Sequence, residues 1–239
     1  MIPKTIHLCW FSGDAYPVEI KLCLESWKRL MPDYTVRVWT AEDARAIGIQ
    51  YINEALDEHR WAFASDAVRF YALWSEGGVY MDSDILLFRR FDHLLPENGE
   101  CVTFNECVAE GETDFGLQAA FIIADKGNDF CRRMVDYYSS RPYRRPDGSL
   151  DNTISPLTMR EIATELGYVP GADTQQRLPG LTVYPTRMLA PRKRYATDSD
   201  TIGQHRVYGS WRKRKMSRRL EKSIEHFVNV VRYHLMSRH

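Results

Sequence analysis

The 239-residue sequence has few cysteines, no long apolar run and no net charge. Its five cysteines are an odd number without a CxxC pair, which excludes a paired disulfide framework and indicates a reducing cytoplasm. No stretch of about 18 apolar residues occurs, so no transmembrane helix is expected. The first residues also lack the apolar run of a signal peptide. These features predict a cytoplasmic globular protein with one large domain or with one domain plus an appendage.

Although the net charge is zero, the basic residues are concentrated at the end of the chain. Residues 211–239 contain nine Lys or Arg and two Glu, so the remainder carries a net charge of about −7. An apolar stripe at helical spacing runs through the same segment: Leu220, Ile224, Phe227, Val228, Val231 and Leu235. We therefore divide the chain into a main domain, residues 1–211, and a basic amphipathic helix within residues 212–239.

This basic segment has two interpretations. A basic amphipathic helix can lie on an anionic membrane, which would make the protein peripheral on the inner face of the membrane. Alternatively, the helix packs on the main domain or on a second subunit. A nucleic acid is not expected as a partner, because the rest of the chain is acidic.

Hydrophobic periodicity in the main domain alternates between strand and helix patterns. Such an order predicts an α/β fold that begins with a nucleotide-binding layer. The predicted strands are 5–11, 34–39, 79–81, 101–104, 119–124 and 181–184, with 85–88 extended. The predicted helices are 19–30, 41–48, 53–76, 129–139, 155–166 and 218–236, and 191–209 is expected to be irregular.

The main chemical signal is the pair of carboxylates in Asp82-Ser83-Asp84, which follows a short apolar strand. Two carboxylates one residue apart can bind one hard cation such as Mg²⁺ or Mn²⁺, leaving positions open for phosphate oxygens. A D-x-D string alone is also common in solvated turns. Aspartyl-phosphate phosphohydrolases use it too, but there it usually opens the chain and has Thr or Val where this chain has Leu86.

A second signal lies on the predicted helix before that strand. Asp66 and Arg69 are three residues apart and therefore share a helix face. Such a pair can accept from and donate to sugar hydroxyls. A surface ion pair of little energetic value is the alternative interpretation.

Together these residues resemble a known family. The string SDxxR from Ser65, followed by GGxYxDxD ending at Asp84, resembles the sugar-binding region of family 32 glycosyltransferases. These DXD enzymes are related to initiating mannosyltransferase and α-1,4-galactosyltransferase enzymes. The opening IPKxIHxxW and a late His205 also fit the family. The resemblance implies a GT-A-type nucleotide-diphospho-sugar transferase fold for residues 1–211, that is, a Rossmann-like mixed sheet flanked by helices.

The resemblance also implies roles for individual residues. Asp82, Asp84 and His205 would bind Mn²⁺ or Mg²⁺, and Asp66 and Arg69 would hold hydroxyls of the transferred sugar. The implied catalytic residues are thus Asp82, Asp84, Asp66 and Arg69.

Other residues would bind the donor. Trp10 would lie near the nucleobase, Tyr80 would line the sugar pocket, and Ser210 and Trp211 would donate to the diphosphate. On a looser alignment, residues 151 and 152 would lie near the anomeric carbon.

The function implied is metal-dependent transfer of a hexose from a nucleotide diphosphate sugar to a glycan or glycolipid acceptor, with retention of configuration, in surface polysaccharide synthesis. A UDP-hexose is the favoured donor and GDP-mannose the other. Two alternatives are a DxD aspartyl-phosphate phosphohydrolase and a non-catalytic sugar or membrane adaptor.

Overall fold

The computed structural model describes residues 2–96, 99–106, 116–189 and 198–206, together with residue 228. Its strands are β1 Thr5–Cys9, β2 Thr35–Trp39, β3 Gly78–Met81, β4 Ile85–Leu87, β5 Cys101–Phe104, β6 Phe121–Ala124, β7 Gln176–Leu178, β8 Leu181–Tyr184 and β9 Gly203–His205. Its helices are α1 Val18–Leu30, α2 Ala41–Ala46, α3 Gln50–Asp57, α4 Trp61–Glu76, α5 Asp129–Ser139 and α6 Ser155–Glu165.

Seven strands form one mixed sheet in the order β2-β1-β3-β6-β5-β8-β7, and β4 pairs with β9 in a separate two-stranded sheet. Strands β1, β2, β3, β5 and β8 run in one direction, whereas β6 and β7 run in the other. The carboxyl ends of β1, β3 and β5 therefore meet at one edge of the sheet, where α/β proteins place their ligands. The predicted Rossmann-like mixed sheet flanked by helices is confirmed.

Apolar side chains cover both faces of this sheet. On one face, α3, α4, α5 and α6 bury a cluster that includes Tyr51, Phe70 and Ile122. On the other face, α1 buries a second cluster that includes Trp27 and Phe121. Both faces of the central strand β3 are covered, and all four of its residues are buried.

The predicted helix over 53–76 is wrong in one respect, because it is two helices. Helix α3 ends at Asp57 and α4 begins at Trp61. His59 between them has φ 53° and is the non-glycine residue with positive φ in the described chain. The backbone N–H of Arg60 donates to Ala55 and that of His59 to Leu56, which is the Schellman pattern of a helix end. The apolar periodicity continues through the corner and so conceals it.

Smaller differences concern short strands. Strand β1 ends at Cys9, two residues earlier than predicted, and β7 was not predicted. Part of the segment expected to be irregular is strand β9. The predicted helix 218–236 lies outside the described residues. Within the described part of the chain, no helix combines the length and apolarity needed to cross a membrane.

Two glycines and a buried histidine fix the start of β3. Gly77 and Gly78 have φ of 72° and 112°, and a Cβ on Gly78 would lie 2.7 Å from the carbonyl oxygen of Thr5. The His7 side chain is fully buried, and its Nδ1 accepts from the indole N–H of Trp39 at 3.1 Å. Its Nε2 therefore carries the proton and donates to the Gly77 carbonyl at 2.8 Å. Burial lowers the pKa of His7, in keeping with a neutral structural ring.

Candidate active site

The DXD residues lie at the carboxyl end of β3. The backbone N–H of Asp82 donates to the Ala120 carbonyl at 2.9 Å, and that of Ile85 donates to the Asp82 carbonyl at 3.0 Å. The chain therefore turns at residues 82–85, directly after leaving the sheet. The hydroxyl of Tyr80 donates to Oδ1 of Asp82 at 2.7 Å and so orients that carboxylate.

The small β4–β9 sheet brings His205 to the DXD turn. Ile85 pairs with His205 in this antiparallel ladder, and the backbone N–H of Arg206 donates to the Asp84 carbonyl. Gly203 makes the close approach feasible, because a Cβ there would lie 2.7 Å from the Leu86 carbonyl oxygen. As a result, Nε2 of His205 lies 3.3 Å from Oδ1 of Asp84.

The three predicted metal ligands converge. One ligand atom each from Asp82, Asp84 and His205 lies within 4.8 Å of the other two, and all three side chains are partly buried. Two carboxylates and an imidazole are a donor set that suits Mn²⁺ or Mg²⁺. Burial lowers the pKa of His205, but the carboxylates of Asp84, Asp82 and Glu106 together outweigh this effect and leave the pKa raised. The residues therefore fit a divalent cation, while the ligand roles themselves stay a prediction.

Arg69 is at the centre of a buried cluster behind the DXD turn. Its Nη2 lies 2.8 Å from Asp66 and 3.7 Å from Asp82, and only 5% of the Arg69 side chain is exposed. It also donates to the Ala119 carbonyl at 2.6 Å and to both the carbonyl and the hydroxyl of Ser65 at 3.1 Å. The guanidinium thus joins α4 to the sheet edge and holds two carboxylates. The direct sugar contact predicted for Arg69 stays a prediction.

Burial dominates the electrostatics of Asp66. It raises the pKa of this carboxyl to about 6, although Arg69 lowers it. The nearby Asp82 carboxylate raises it further, and a hydrogen bond from the backbone N–H of Ser155 lowers it. A carboxyl group with this pKa is a functional-site candidate, because it can both accept and donate hydrogen bonds near neutral pH.

A cavity of about 350 Å³ lies against the DXD turn. Its walls come from the end of β1 and the loop after it, from the start of α4, and from β3 with the DXD turn. The lining residues are Cys9, Trp10, Phe11, Ser12, Asp14, Ala15, Pro17, Ile20, Trp61, Ala62, Ser65, Tyr80, Asp82, Ser83 and Asp84. The carboxylates of the DXD turn therefore face a cavity with room for a small ligand.

The structure places most of the other predicted residues. Trp10 lines the cavity, and its indole N–H donates to the Asp14 carbonyl at 2.8 Å. Tyr80 lines it as well, with the Arg69 guanidinium 4.7 Å from its ring centre.

Ser210 and Trp211 lie outside the described residues. Asp151 accepts from Arg145 at 2.9 Å and from the Thr153 backbone at 3.0 Å, so its carboxylate organises its own loop.

Sequence reasoning missed two residues of the site. Trp61 lines the cavity from the first turn of α4; the signal was its position four residues before Ser65, on the same helix face. Glu106 follows β5 at the same sheet edge, and its carboxylate is among the charges that raise the pKa of His205. Nothing local distinguishes Glu106 from an ordinary loop carboxylate.

The family comparison agrees with this geometry. Residues 17–100 match the family model described as a glycosyltransferase sugar-binding region containing a DXD motif. The resemblance to the DXD glycosyltransferases is confirmed over this segment. It includes the SDxxR string, the two glycines and the DXD turn.

A curated relative matches over part of its length. The inositol phosphoceramide mannosyltransferase 3 of Schizosaccharomyces pombe is 31% identical over 101 residues, which is 39% of this chain. The chain spans only 27% of that relative's length.

Solved structures bear on the fold. The PaToxG glycosyltransferase aligns with a TM-score of 0.54 at 18% identity, covering 69% of each chain. An active-site mutant of LgtC aligns at 11% identity over 91% of this chain and 94% of its own, with a TM-score of 0.43 that is too low to carry an argument. The DXD region of this chain thus lies on a GT-A glycosyltransferase fold.

Proposed function

We propose that this protein is a metal-dependent glycosyltransferase that moves a hexose from a nucleotide diphosphate sugar to a glycan or glycolipid hydroxyl. One observation carries the proposal. Ligand atoms of Asp82, Asp84 and His205 lie within 4.8 Å of one another, and Asp82 and Asp84 line a cavity of about 350 Å³. The match of residues 17–100 to a DXD sugar-binding region supports the same chemistry.

In this proposal the chain's own residues bind and orient the donor. Asp82, Asp84 and His205 would hold Mn²⁺ or Mg²⁺, which when bound stabilises negative charge on the diphosphate leaving group. Asp66 and Arg69 would fix the sugar from the α4 side, and Tyr80 orients Asp82.

We further propose retention of configuration. The acceptor hydroxyl would approach on the face that the diphosphate leaves, through an oxocarbenium-like state. Positioning of the two substrates by a preorganised polar site would then supply most of the rate enhancement.

The donor and acceptor are narrower proposals. A UDP-hexose is the first candidate donor and GDP-mannose the second. The name of the yeast relative gives mannose as the sugar and inositol phosphoceramide as the acceptor, which supports testing GDP-mannose and a glycolipid acceptor. A role in surface polysaccharide synthesis is the corresponding proposal for the pathway.

For the end of the chain, we propose that the basic segment 212–239 contacts an anionic membrane at the cytoplasmic face, while residues 1–211 form the catalytic domain. The net charge of about +7 over residues 211–239 supports this. Cosedimentation with anionic vesicles, reversed by salt, is the expected result. Binding to neither anionic nor neutral vesicles would contradict the membrane contact.

The decisive experiment is a panel of nucleotide sugars incubated with the protein and Mn²⁺, scored for release of free nucleoside diphosphate. We expect release from one donor class, abolished by EDTA. Asp84→Asn should lower the rate about 100-fold or more, because it removes a metal ligand from the floor of the cavity. Asp57→Asn is the matched control, since this carboxylate is 57% exposed, forms an ion pair with Arg45 at 2.7 Å and is not part of the cavity lining.

The alternatives predict different outcomes. Release of phosphate from simple phosphomonoesters, without use of any nucleotide sugar, would indicate a phosphohydrolase. Binding of a donor without release or transfer under any condition would indicate an adaptor. Near-normal turnover in a folded Asp84→Asn protein, with circular dichroism as the folding check, would overturn the metal assignment.

A further inference from the structure

The helical side of the core contains a set of deeply buried hydroxyl groups. They come from α3, from α5 and the loop after it, and from the first turn of α6: Tyr51, Tyr138, Tyr143, Ser155 and Thr158. Each of these residues is at most 1% exposed. None of the five hydroxyl oxygens has a hydrogen-bond partner among the described residues. A buried hydroxyl without a partner destabilises the folded state, so such groups call for an explanation.

Three of these hydroxyl-bearing side chains lie close to the Asp66 carboxylate. The backbone N–H of Ser155 donates to Asp66, which brings the first turn of α6 against that carboxylate. Burial raises the pKa of Tyr138, the Asp66 carboxylate raises it further, and the Ser155 side chain lowers it. The ring of Tyr51 lies 4.9 Å from that of Tyr138, and burial, Tyr138 and Asp66 raise the pKa of Tyr51. The three side chains and Asp66 therefore form one buried polar group.

The chain leaves hydrogen-bonding capacity within this group unused. Asp66 pairs with Arg69 at 2.8 Å and accepts from the Ser155 backbone, but a carboxylate can accept about four hydrogen bonds. The Tyr138 and Ser155 hydroxyls are neighbours, yet no well-formed hydrogen bond joins them. A buried water molecule typically makes about three hydrogen bonds to polar groups of this kind. Because Arg69 already balances the charge of Asp66, a neutral ligand fits better than a second cation.

We propose that an internal water molecule is bound between the hydroxyls of Tyr138 and Ser155 and the Asp66 carboxylate, and that these two hydroxyls thereby position Asp66. The water accepts from Tyr138 and donates to Asp66, and Tyr51 packs beside it from α3. Together with Arg69 and the Ser155 backbone, it fixes the direction of the carboxylate. That this direction serves a sugar rests on the proposed function, whereas the water site itself does not.

The water site is tested by ¹⁷O relaxation dispersion of water on the full, metal-free chain, which measures long-lived internal waters. Tyr138→Phe and Ser155→Ala should each lower the dispersion amplitude by at least one such water. Ser155→Ala keeps the backbone N–H that binds Asp66. The double variant should lose no more than either single variant, because both hydroxyls bind the same water. An unchanged amplitude in both single variants would overturn the proposal.

Urea denaturation gives an independent test by its sign. If the Tyr138 hydroxyl binds water, Tyr138→Phe should lower the urea midpoint, whereas removal of a hydroxyl without any partner would raise it. Tyr137→Phe is the matched control, since Tyr137 is the next residue on α5, is only half-buried and does not belong to the set of buried hydroxyls. It should leave both the midpoint and the dispersion amplitude unchanged. Raised midpoints in Tyr138→Phe and Ser155→Ala would contradict the water site.

The positioning role is tested by calorimetric titration in Mn²⁺ with UDP, with GDP and with the nucleotide sugar that the wild type uses. Tyr138→Phe should weaken binding of the intact donor about 3- to 10-fold, the value of one hydrogen bond. The matching diphosphate should bind as in wild type, because only the sugar contacts Asp66. Equal weakening of both ligands, or unchanged affinity for the donor, would overturn the positioning role.

Failure of this inference and failure of the proposed function are distinguishable. Loss of the internal water in Tyr138→Phe, in a protein that uses no nucleotide sugar, would support the water site while contradicting the proposed function. Sugar transfer with an unchanged dispersion amplitude in both single variants would do the reverse. If Tyr138→Phe does not fold by circular dichroism, Ser155→Ala carries the same three measurements, since it removes a smaller group from the same site.

Discussion

The molecule contains two clusters of carboxylates and cations, one buried and one exposed, and the pKa of the central carboxyl group is shifted in opposite directions in the two. In the buried one, Arg69 lies 2.8 Å from Asp66, and burial raises the pKa of Asp66 to about 6. In the exposed one, Asp33 lies 2.6 Å from Lys4 and 2.9 Å from Arg90. There the hydrogen bonds from Lys4 and then from Arg90 lower the pKa of Asp33 to about 2.

The distances between cationic nitrogen and carboxylate oxygen are similar in the two clusters, so the opposite pKa shifts of Asp33 and Asp66 arise from different exposure to water. The side chains around Asp33 are 37–56% exposed, whereas those of Arg69 and Asp66 are 5% and 12% exposed. Removing a carboxylate from water costs more than the facing guanidinium returns, and its proton is then held more tightly. The Asp66 carboxylate beside the cavity is therefore unfavourably desolvated when it is ionised. Perturbed carboxyl groups of this kind are typical of sites that bind or transform a ligand.

The largest expected effect is on the free energy of unfolding. It is measured by removing the guanidinium from each cluster in turn. Arg69→Met should lower the free energy of unfolding by about 3–5 kcal/mol, because it leaves two partly buried carboxylates without their cation. Arg90→Met should lower it far less, since its partners remain in water. Urea denaturation of both variants at pH 7 measures the difference. Equal losses would mean that burial does not separate the two clusters.

An intermediate effect concerns the pH dependence of stability in metal-free protein. Because the folded pKa of Asp66 is raised from 3.8 to about 6, the folded state binds the proton more tightly than the unfolded state. The contribution of Asp66 to the free energy of unfolding is therefore most favourable below pH 4. As the pH rises from about 4 to 6, the free energy of unfolding falls by about 3 kcal/mol. Asp66→Asn should remove this loss. Thermal unfolding from pH 4 to 7 in EDTA, compared with wild type, checks it; parallel curves would contradict the raised pKa.

The smallest effect has the opposite sign and lies at Asp33. Its folded pKa of about 2 is below the ordinary 3.8, so the folded state releases the proton first. The stabilisation is present above about pH 4 and is lost as the pH falls toward 2. Asp33→Asn should flatten the curve in that window only, and added salt should mimic the substitution because the pair is exposed. A change above pH 5 would instead implicate another group.

The sequence predicted the parts of the site that are local in the chain. The apolar strand β3, the two glycines before it and the carboxylates after it are adjacent, so pattern and spacing suffice to place Asp82 and Asp84 at a strand end. The same holds for Asp66 and Arg69, whose spacing of three puts them on one helix face. The direction of the Arg69 guanidinium was not predictable, because its acceptors include the carbonyl of Ala119, fifty residues away.

Secondary structure was predicted wrongly where contacts with residues distant in sequence determine the backbone conformation. The corner at His59 was missed because a left-handed histidine carries no turn signal comparable to glycine. Strand β9 was missed because three residues, GQH, have no strand periodicity of their own. It forms because Gly203 admits the backbone of β4 at close range. His205 was proposed from family resemblance, and the ladder explains how it reaches Asp84.

By itself, the sequence determined the α/β class, the order of the main elements and the residue types at the candidate site. These follow from periodicity and short spacings, which act within a few residues. Only the tertiary structure decided which charged side chains are exposed to solvent and which are buried. It also brought β9 to β4, aimed Trp61 into the cavity and set opposite pKa shifts on Asp66 and Asp33. Burial and long-range pairing depend on the whole packed chain, since the desolvation of a charge is fixed by neighbours distant in sequence.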